Sequence, residues 1–273
     1  MEKVDRLGWM AGISFRAYGV RVGVRVNEAD ALDQIRDHLP PGWEPMSSLV
    51  VDRLYSLKFG GDGHRPNLRR FHLLYTNAAR VGRSLDLAVV LKLFEADLHL
   101  YVAETAHRKV FVHAGVVGWR GQAILIPGRT FTGKTTLVLE LVRAGATYLS
   151  DEYAVLDPRG RVHPYPRKLW LREQSGLGFE RTSIESLGGS SGLKPLPVGL
   201  VVVTRYKAGA RWRPIPLTPG QGALALLNNA VSIQRQPALT FPILSRIATS
   251  APILKGVRGE AKQVVDSILK TLG

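Results

Sequence analysis

At 273 residues, with 45% hydrophobic and 22% charged side chains, the chain has the content of one large globular domain or of a core domain with a smaller companion, which excludes wholesale disorder. It contains no cysteine, so disulfides, thiolate metal sites and cysteine nucleophiles are excluded and any chemistry must use other groups. Thirty-seven Lys and Arg against 22 Asp and Glu give a formal charge of +15, an excess that suits an acidic partner.

No apolar run approaches the roughly 20 residues that cross a bilayer, and the opening MEKVDRLGWMAG has neither the apolar stretch nor the small-residue cleavage site of a secretory signal. The cytoplasm is the expected location. The positive charge is uneven. Residues 63–85 carry no acid but five arginines, Arg65, Arg69, Arg70, Arg80 and Arg83, and residues 186–259 carry none against nine Lys or Arg. Such segments are either solvated basic faces or attractors of an anion, whether a triphosphate, an acidic peptide or nucleic acid. There is no recognisable nucleic-acid module, no zinc-finger spacing and no aromatic-rich basic motif.

In chain order, 14–27 reads as a strand, with Val20, Val22, Val24 and Val26 alternating against Arg21, Gly23 and Arg25, and 28–39 reads as a helix closed by Pro40-Pro41-Gly42. Residues 49–59 alternate again, Gly60-Gly61-Asp62-Gly63 marks a loop, and 71–75 forms another strand. A long helical pattern covers 84–106, with Ser84 as its cap. These elements predict an N-terminal α+β lobe with a linking helix over 1–105, a candidate for acceptor recognition, ahead of a catalytic domain over 106–273. Beyond it, 110–119 and 122–127 read as strands joined by a turn at Arg120-Gly121.

Next comes Gly128-Arg129-Thr130-Phe131-Thr132-Gly133-Lys134-Thr135, which satisfies GxxxxGK[ST]; a chance match in such a chain is on the order of one per cent. It follows the apolar Ala123-Ile124-Leu125-Ile126 and opens a helix over 135–143 whose Leu137, Val138, Leu141 and Val142 form one face before Gly145. That is the strand, loop, helix order a phosphate cradle demands. Glycines let the backbone approach the phosphates, backbone N–H groups from Gly128 through Thr136 supply positive charge, Lys134 reaches the β and γ phosphates, and Thr135 offers its hydroxyl to Mg²⁺. The expected ligand is a nucleoside triphosphate, ATP with Mg²⁺.

Seventeen residues beyond Lys134, the strand over 147–150 ends in Asp151-Glu152. At the carboxyl end of such a strand, one carboxylate can hold Mg²⁺ while the other takes a proton from an attacking hydroxyl or water. His113, on the strand before the loop strand, is placed to reach the phosphates or orient a carboxylate. Arg167 and Lys168, after a turn at Asp157-Pro158-Arg159-Gly160, are candidates for phosphate or acceptor binding, or plain surface charge. Downstream, 198–204 and 211–217 read as strands, 222–230 and 260–272 as helices, 186–190 as a loop, and Arg205, Lys207, Arg211, Arg213 and Arg246 stand as unassigned cations.

Val112-His113-Ala114-Gly115-Val116, the loop and Ser150-Asp151-Glu152 together resemble the HPr kinase/phosphorylase superfamily, a P-loop group related in core fold to phosphoenolpyruvate carboxykinase. The resemblance covers residues 110–170 well and the rest loosely. It implies an α/β fold with a P-loop kinase core, Asp151 as general base towards a serine hydroxyl, with His113 and Lys134 in the same catalytic site, Glu152 and Thr135 on the Mg²⁺ side, with an exchange of roles between the two carboxylates as the alternative, and homo-oligomers. The second carboxylate is Glu rather than Asp, Phe131 is bulky for the loop, and no Glu-Val-Arg-Gly segment follows. HPr is therefore a poor substrate candidate, and the chain looks more like the HPr kinase-like proteins of bacterial peptide natural-product clusters, including lasso-peptide precursor kinases. The leading expectation is a kinase that phosphorylates a serine of a peptide or protein. A small-molecule hydroxyl kinase, an ATP hydrolase and a nucleotide-responsive binding module are the alternatives.

Overall fold

A computed structural model describes residues 3–60, 70–128, 132–172 and 179–273. It is a mixed α/β protein in two compact units, Met1–His107 and Arg108–Gly273.

The first unit is built on β1 (Ala11–Ala17), β2 (Val20–Val26), α1 (Ala31–Arg36), β3 (Glu44–Met46), β4 (Arg53–Lys58), β5 (His72–Thr76), β6 (Ala79–Ser84) and α2 (Leu87–Thr105), with sheet order β3-β1-β2-β4-β5-β6. The predicted single strand over 14–27 is a hairpin. Tyr18 and Gly19 turn the chain with φ of 51° and 86°, the positive pair a tight hairpin uses; a tyrosine there gives no turn signal in sequence. Alternation puts Val20, Val22, Val24 and Val26 in the core, where α2 lays Val90, Phe94, Leu98 and Val102 at helical spacing. Asp86 caps α2 by accepting from Ala88 N at 2.8 Å, while Ser84 accepts from Asp86 N one step earlier.

The second unit contains β7 (Val110–Trp119), β8 (Gln122–Pro127), α3 (Lys134–Arg143), β9 (Thr147–Ser150), β10 (Tyr153–Leu156), β11 (Arg161–His163), β12 (Leu169–Arg172), β13 (Phe179–Thr182), β14 (Leu196–Tyr206), β15 (Ile215–Pro216), α4 (Pro219–Leu227), α5 (Pro237–Ser250), β16 (Ile253–Arg258) and α6 (Val265–Lys270). Its main sheet runs β11-β10-β7-β8-β14-β16-β15, with β9 also on β7; β8, β14 and β16 are parallel, and β12 pairs β13 separately. Both faces are covered, which is why β8 reads as a continuous apolar run. Ala123 and Leu125 face a core with α4 and α5, while Ile124 and Ile126 face one with α3 and α6.

The predicted strand over 211–217 shrinks to β15 because Pro214 and Pro216 lack the donors a ladder needs. The helix expected over 222–230 starts earlier, at Pro219, behind a capping box in which Thr218 and Gln221 serve each other's backbone. Helix α5 carries Pro237 in its first turn and Pro242 inside, a pattern that reads as breakers; burial of Thr240, Ile243, Leu244, Ile247 and Ala248 outweighs the lost hydrogen bond. No helix among the described residues is long and apolar enough to cross a membrane.

Candidate functional site

Strand β7 brings the predicted site residues to one level. On one edge it pairs with β8, so that Gly128 N donates to His113 O at 3.0 Å. On the other edge it pairs with β9 and β10, and between them Ala114 N donates to Glu152 O at 3.1 Å. Both β8 and β9 run antiparallel to β7 and therefore end on the same side. Ser150 Oγ accepts from Glu152 N and Tyr153 N at 3.2 and 3.0 Å, which bends the chain at the acidic pair. Gly115 is required by close packing. A Cβ there would stand 2.5 Å from Val138 Cγ2, so only glycine lets α3 settle on the strand with Lys134 above it.

Of the predicted cradle, Gly128 and Thr132 through Thr136 are described, whereas Arg129, Thr130 and Phe131 lie outside the described residues. Gly133 caps α3 in the left-handed region at φ 83°, a conformation that favours glycine. Its carbonyl accepts from Leu137 N at 3.1 Å, the first turn of the helix. The helix that begins at Lys134 opens with N–H groups that have no partner within the helix and with the positive end of its dipole. Thr136 is exposed; Thr135 is half-buried and turned to the acidic pair.

Asp151, only 4% exposed, accepts from Thr135 Oγ1 at 3.2 Å, Tyr148 OH at 3.1 Å and Arg167 Nε at 3.3 Å. Burial raises the Tyr148 hydroxyl well above the ordinary phenol range, so it remains a donor. Glu152 is half-buried, with its carboxylate 3.4 Å from Arg167 Nη2 and 3.6 Å from His113 Nδ1. The latter is an ion-pair separation, too long for a hydrogen bond. Burial pushes the Glu152 carboxyl up, but the His113 imidazole, Arg167 and Lys134 together outweigh it and hold the group below its ordinary value. Lys134 is pulled down by burial against the attraction of Glu152 and Asp151. The His113 ring lies 4.9 Å from that of Tyr153, in an aromatic cluster with Phe111 and Tyr165.

Thr135, Lys134, Asp151, Glu152, His113 and Arg167 thus come together, while Lys168, the next residue along from Arg167, is exposed. Two residues were not foreseen. Tyr148 gave no signal beyond its place three residues before Asp151. Arg258, which ends strand β16, is 2% exposed and donates from Nη2 to Gly133 O at 2.7 Å and from Nη1 to Gly259 O at 3.0 Å. Its Nε has no hydrogen-bond partner, and burial lowers the guanidinium pKa. Its place at the end of the short Ile253–Arg258 run gave no distinct signal in the sequence. Arg246, by contrast, ties α5 to Pro158 O at 2.9 Å.

The oxygen donors suit Mg²⁺. Thr135 Oγ1 and an Asp151 oxygen already meet, and among the described residues no group of three or more His, Asp or Glu is arranged to hold an ion alone. Mg²⁺ normally takes one or two protein oxygens and fills its shell with phosphate and water.

No protein-family model matches the chain, and no curated protein matches it. Among solved structures it is similar to the HPr(Ser) kinase/phosphatase from Coxiella burnetii, at 14% identity and a TM-score of 0.33, over 60% of this chain and 99% of that one.

Proposed function

We propose that the second unit is a P-loop phosphotransferase that moves the γ-phosphate of ATP to a hydroxyl, with a serine of a peptide or protein as the acceptor class. The observation that carries the reading is the 3.2 Å contact between Thr135 Oγ1 and Asp151 at the start of the helix that follows the glycine loop. It joins the two halves of a magnesium-phosphate site that the sequence separates by 16 residues. Backbone N–H groups at the α3 terminus and the Lys134 ammonium bind and orient the β and γ phosphates. Arg258 steadies the loop from behind through Gly133 O. Thr135 and Asp151 would hold Mg²⁺, which when bound would supply charge neutralisation at the transferring phosphoryl group.

The role division implied by resemblance gives Asp151 the proton and Glu152 the metal. The contacts favour the exchange. Asp151 is buried with three donors on it, whereas Glu152 is more open and faces His113. Glu152 then takes the proton from the acceptor hydroxyl as its oxygen bonds to the γ-phosphorus and the bond to the leaving ADP oxygen breaks. His113 positions Glu152, and Arg167, which bridges both carboxylates, offsets part of their mutual repulsion.

The test is Mg²⁺-dependent ATP turnover with a serine-containing peptide pool, followed by mass spectrometry of the peptides. Phosphoserine that requires Glu152 and Asp151 supports the proposal. ADP release with no phosphorylated acceptor, and with serine peptides of every charge tried, would leave an ATP hydrolase in its place. Nucleotide binding without turnover would leave a binding module.

A further inference from the structure

The carboxyl-terminal halves of β14 and β16 form the floor of an open cleft of about 850 Å³, walled by α4 on one side and by the segment around β15 on the other. Arg205, Arg213 and Lys255 line it, and all three are exposed with no ion pair among the described residues. Among the described residues no carboxylate lines the cleft, and residues 186–259 contain no acid at all. Ile215 and Leu224 add exposed apolar surface at 61% and 62% exposure. The buried Thr204 Oγ1 lines the same cleft and has no hydrogen-bond partner.

Two residues lining the cleft are chain neighbours of residues that touch the site. On its floor, Arg205 stands opposite Val257, whose successor Arg258 holds the loop carbonyl of Gly133. On its wall, Asn228 precedes Asn229, whose carbonyl accepts from His113 N at 2.8 Å. Ligands of open α/β sheets gather outside the carboxyl ends of the strands, where this cleft opens.

We propose that the cleft docks an acidic peptide segment bearing one or two apolar side chains; on the phosphoryl-transfer reading above, on which this rests, that segment belongs to the acceptor. Unpaired cations choose the charge of the occupant, because an anion there gains their attraction without displacing an existing partner. Exposed Ile215 and Leu224 choose a peptide over nucleic acid. A single-stranded nucleic-acid groove pairs its cations with aromatic stacking platforms, and among the described residues no aromatic side chain lines this cleft.

The probe is a fluorescein-labelled peptide with one serine followed by alternating Glu and Leu, compared with the same peptide carrying Gln for Glu and with a single-stranded RNA oligonucleotide. Binding is read by anisotropy for the wild type and for the triple variant Arg205→Gln, Arg213→Gln, Lys255→Gln, whose folding is checked by thermal melting. The acidic peptide should bind the wild type in preference to the Gln peptide, weaken with added salt, and bind the triple variant about tenfold or more weakly. Affinity for a fluorescent ATP analogue should be unchanged. Equal binding of the two peptides, no loss in the triple variant, or RNA bound in place of peptide each overturns the docking proposal, as does a parallel loss of nucleotide affinity, which would make the cleft a nucleotide subsite. Acidic peptide bound in the cleft but never phosphorylated supports docking and removes only the phosphoryl-transfer reading.

Discussion

The two units handle buried charge differently. In the first, the polar groups beneath the sheet find close partners within the fold: His38 Nδ1 meets Glu95 Oε2 at 2.7 Å, and Asp97 accepts from Tyr55 OH at 2.6 Å and from Arg53 at 3.1 Å. In the second, Lys134 and Arg167 face two carboxylates at the ends of the strands, and Arg258, bonded to the carbonyl of Gly133, keeps an unsatisfied Nε in the interior. A buried guanidinium with an open donor behind an α-helix N-terminus is costly to fold. The same chain therefore uses buried ionic groups for architecture in one unit and, on the function proposed above, holds its cations for a ligand in the other.

The largest expected effects break the second half of that contrast. Lys134→Ala should lower phosphoryl transfer by about 10²- to 10³-fold, since it removes the cation aimed at the developing charge; thermal stability should change little, because burial already disfavours this ammonium. Glu152→Gln and Asp151→Asn separate the two carboxylates. If Glu152 is the base, its variant should lose about 10²- to 10⁴-fold in turnover while still binding Mg²⁺ and nucleotide. Asp151→Asn should raise the Mg²⁺ concentration needed for half-maximal rate. The reverse pattern would return the proton to Asp151.

An intermediate effect tests the first half. His38→Leu leaves the buried Glu95 carboxylate without its 2.7 Å partner and should destabilise the first unit by about 2 kcal/mol or more, measured by urea unfolding. Nucleotide binding per folded molecule should remain at the wild-type level. A loss of nucleotide affinity equal to that of Lys134→Ala would show that this pair is not merely architectural.

Smaller still is the loop glycine. Gly133→Ala forces a side chain into φ 83° and 2.6 Å from Arg258 Nη2; the backbone term alone is about 1 to 2 kcal/mol. Nucleotide affinity should fall with stability here, unlike at His38. An unchanged affinity would sever the link between Arg258 and the loop.

What the sequence made legible follows from how local each signal is. The spacing from Gly128 to Thr135, the apolar strand before it and the acidic pair after it are short-range patterns, and each is found where its residues form strand, helix start and bend. The hairpin at Tyr18, helix α5 with its two prolines and strand β16 were hidden because tertiary burial overrides weak or contrary local propensity there. Arg258 was hidden for another reason. It meets Gly133 across 125 residues, through strand order alone. The contact of Thr135 with Asp151 rather than Glu152 likewise depends on the bend set by Ser150.

The smallest effect lies in the turn between β10 and β11, within the second unit but unconnected to the phosphate loop by any contact described above. Asp157 Oδ1 accepts from Arg159 N and Arg161 N at 2.9 and 3.0 Å, and Oδ2 faces Arg161 Nε and His163 Nε2, both at 3.1 Å. Burial acts to raise this carboxyl, but the Arg161 and Arg159 amides with the His163 and Arg161 side chains lower it from 3.8 to about 2. Lys109 Nζ approaches the same His163 nitrogen at 2.8 Å. Burial, Lys109 and Arg161 depress the imidazole below its ordinary 6.5 despite Asp157. Both folded values are depressed, so in both cases the unfolded chain takes up protons first as pH falls. Stability should therefore decline first below about pH 6.5, from His163, and again between about pH 4 and 2, from Asp157, the latter by about 1 to 2 kcal/mol. Asp157→Asn keeps the acceptor for both amides and removes the charge, so it should flatten only the lower limb of the stability profile. If that limb stays as steep as in the wild type, the acid sensitivity belongs to the carboxylates of the phosphate site, and the division between charges that hold the fold and charges that await a ligand does not run where the geometry draws it.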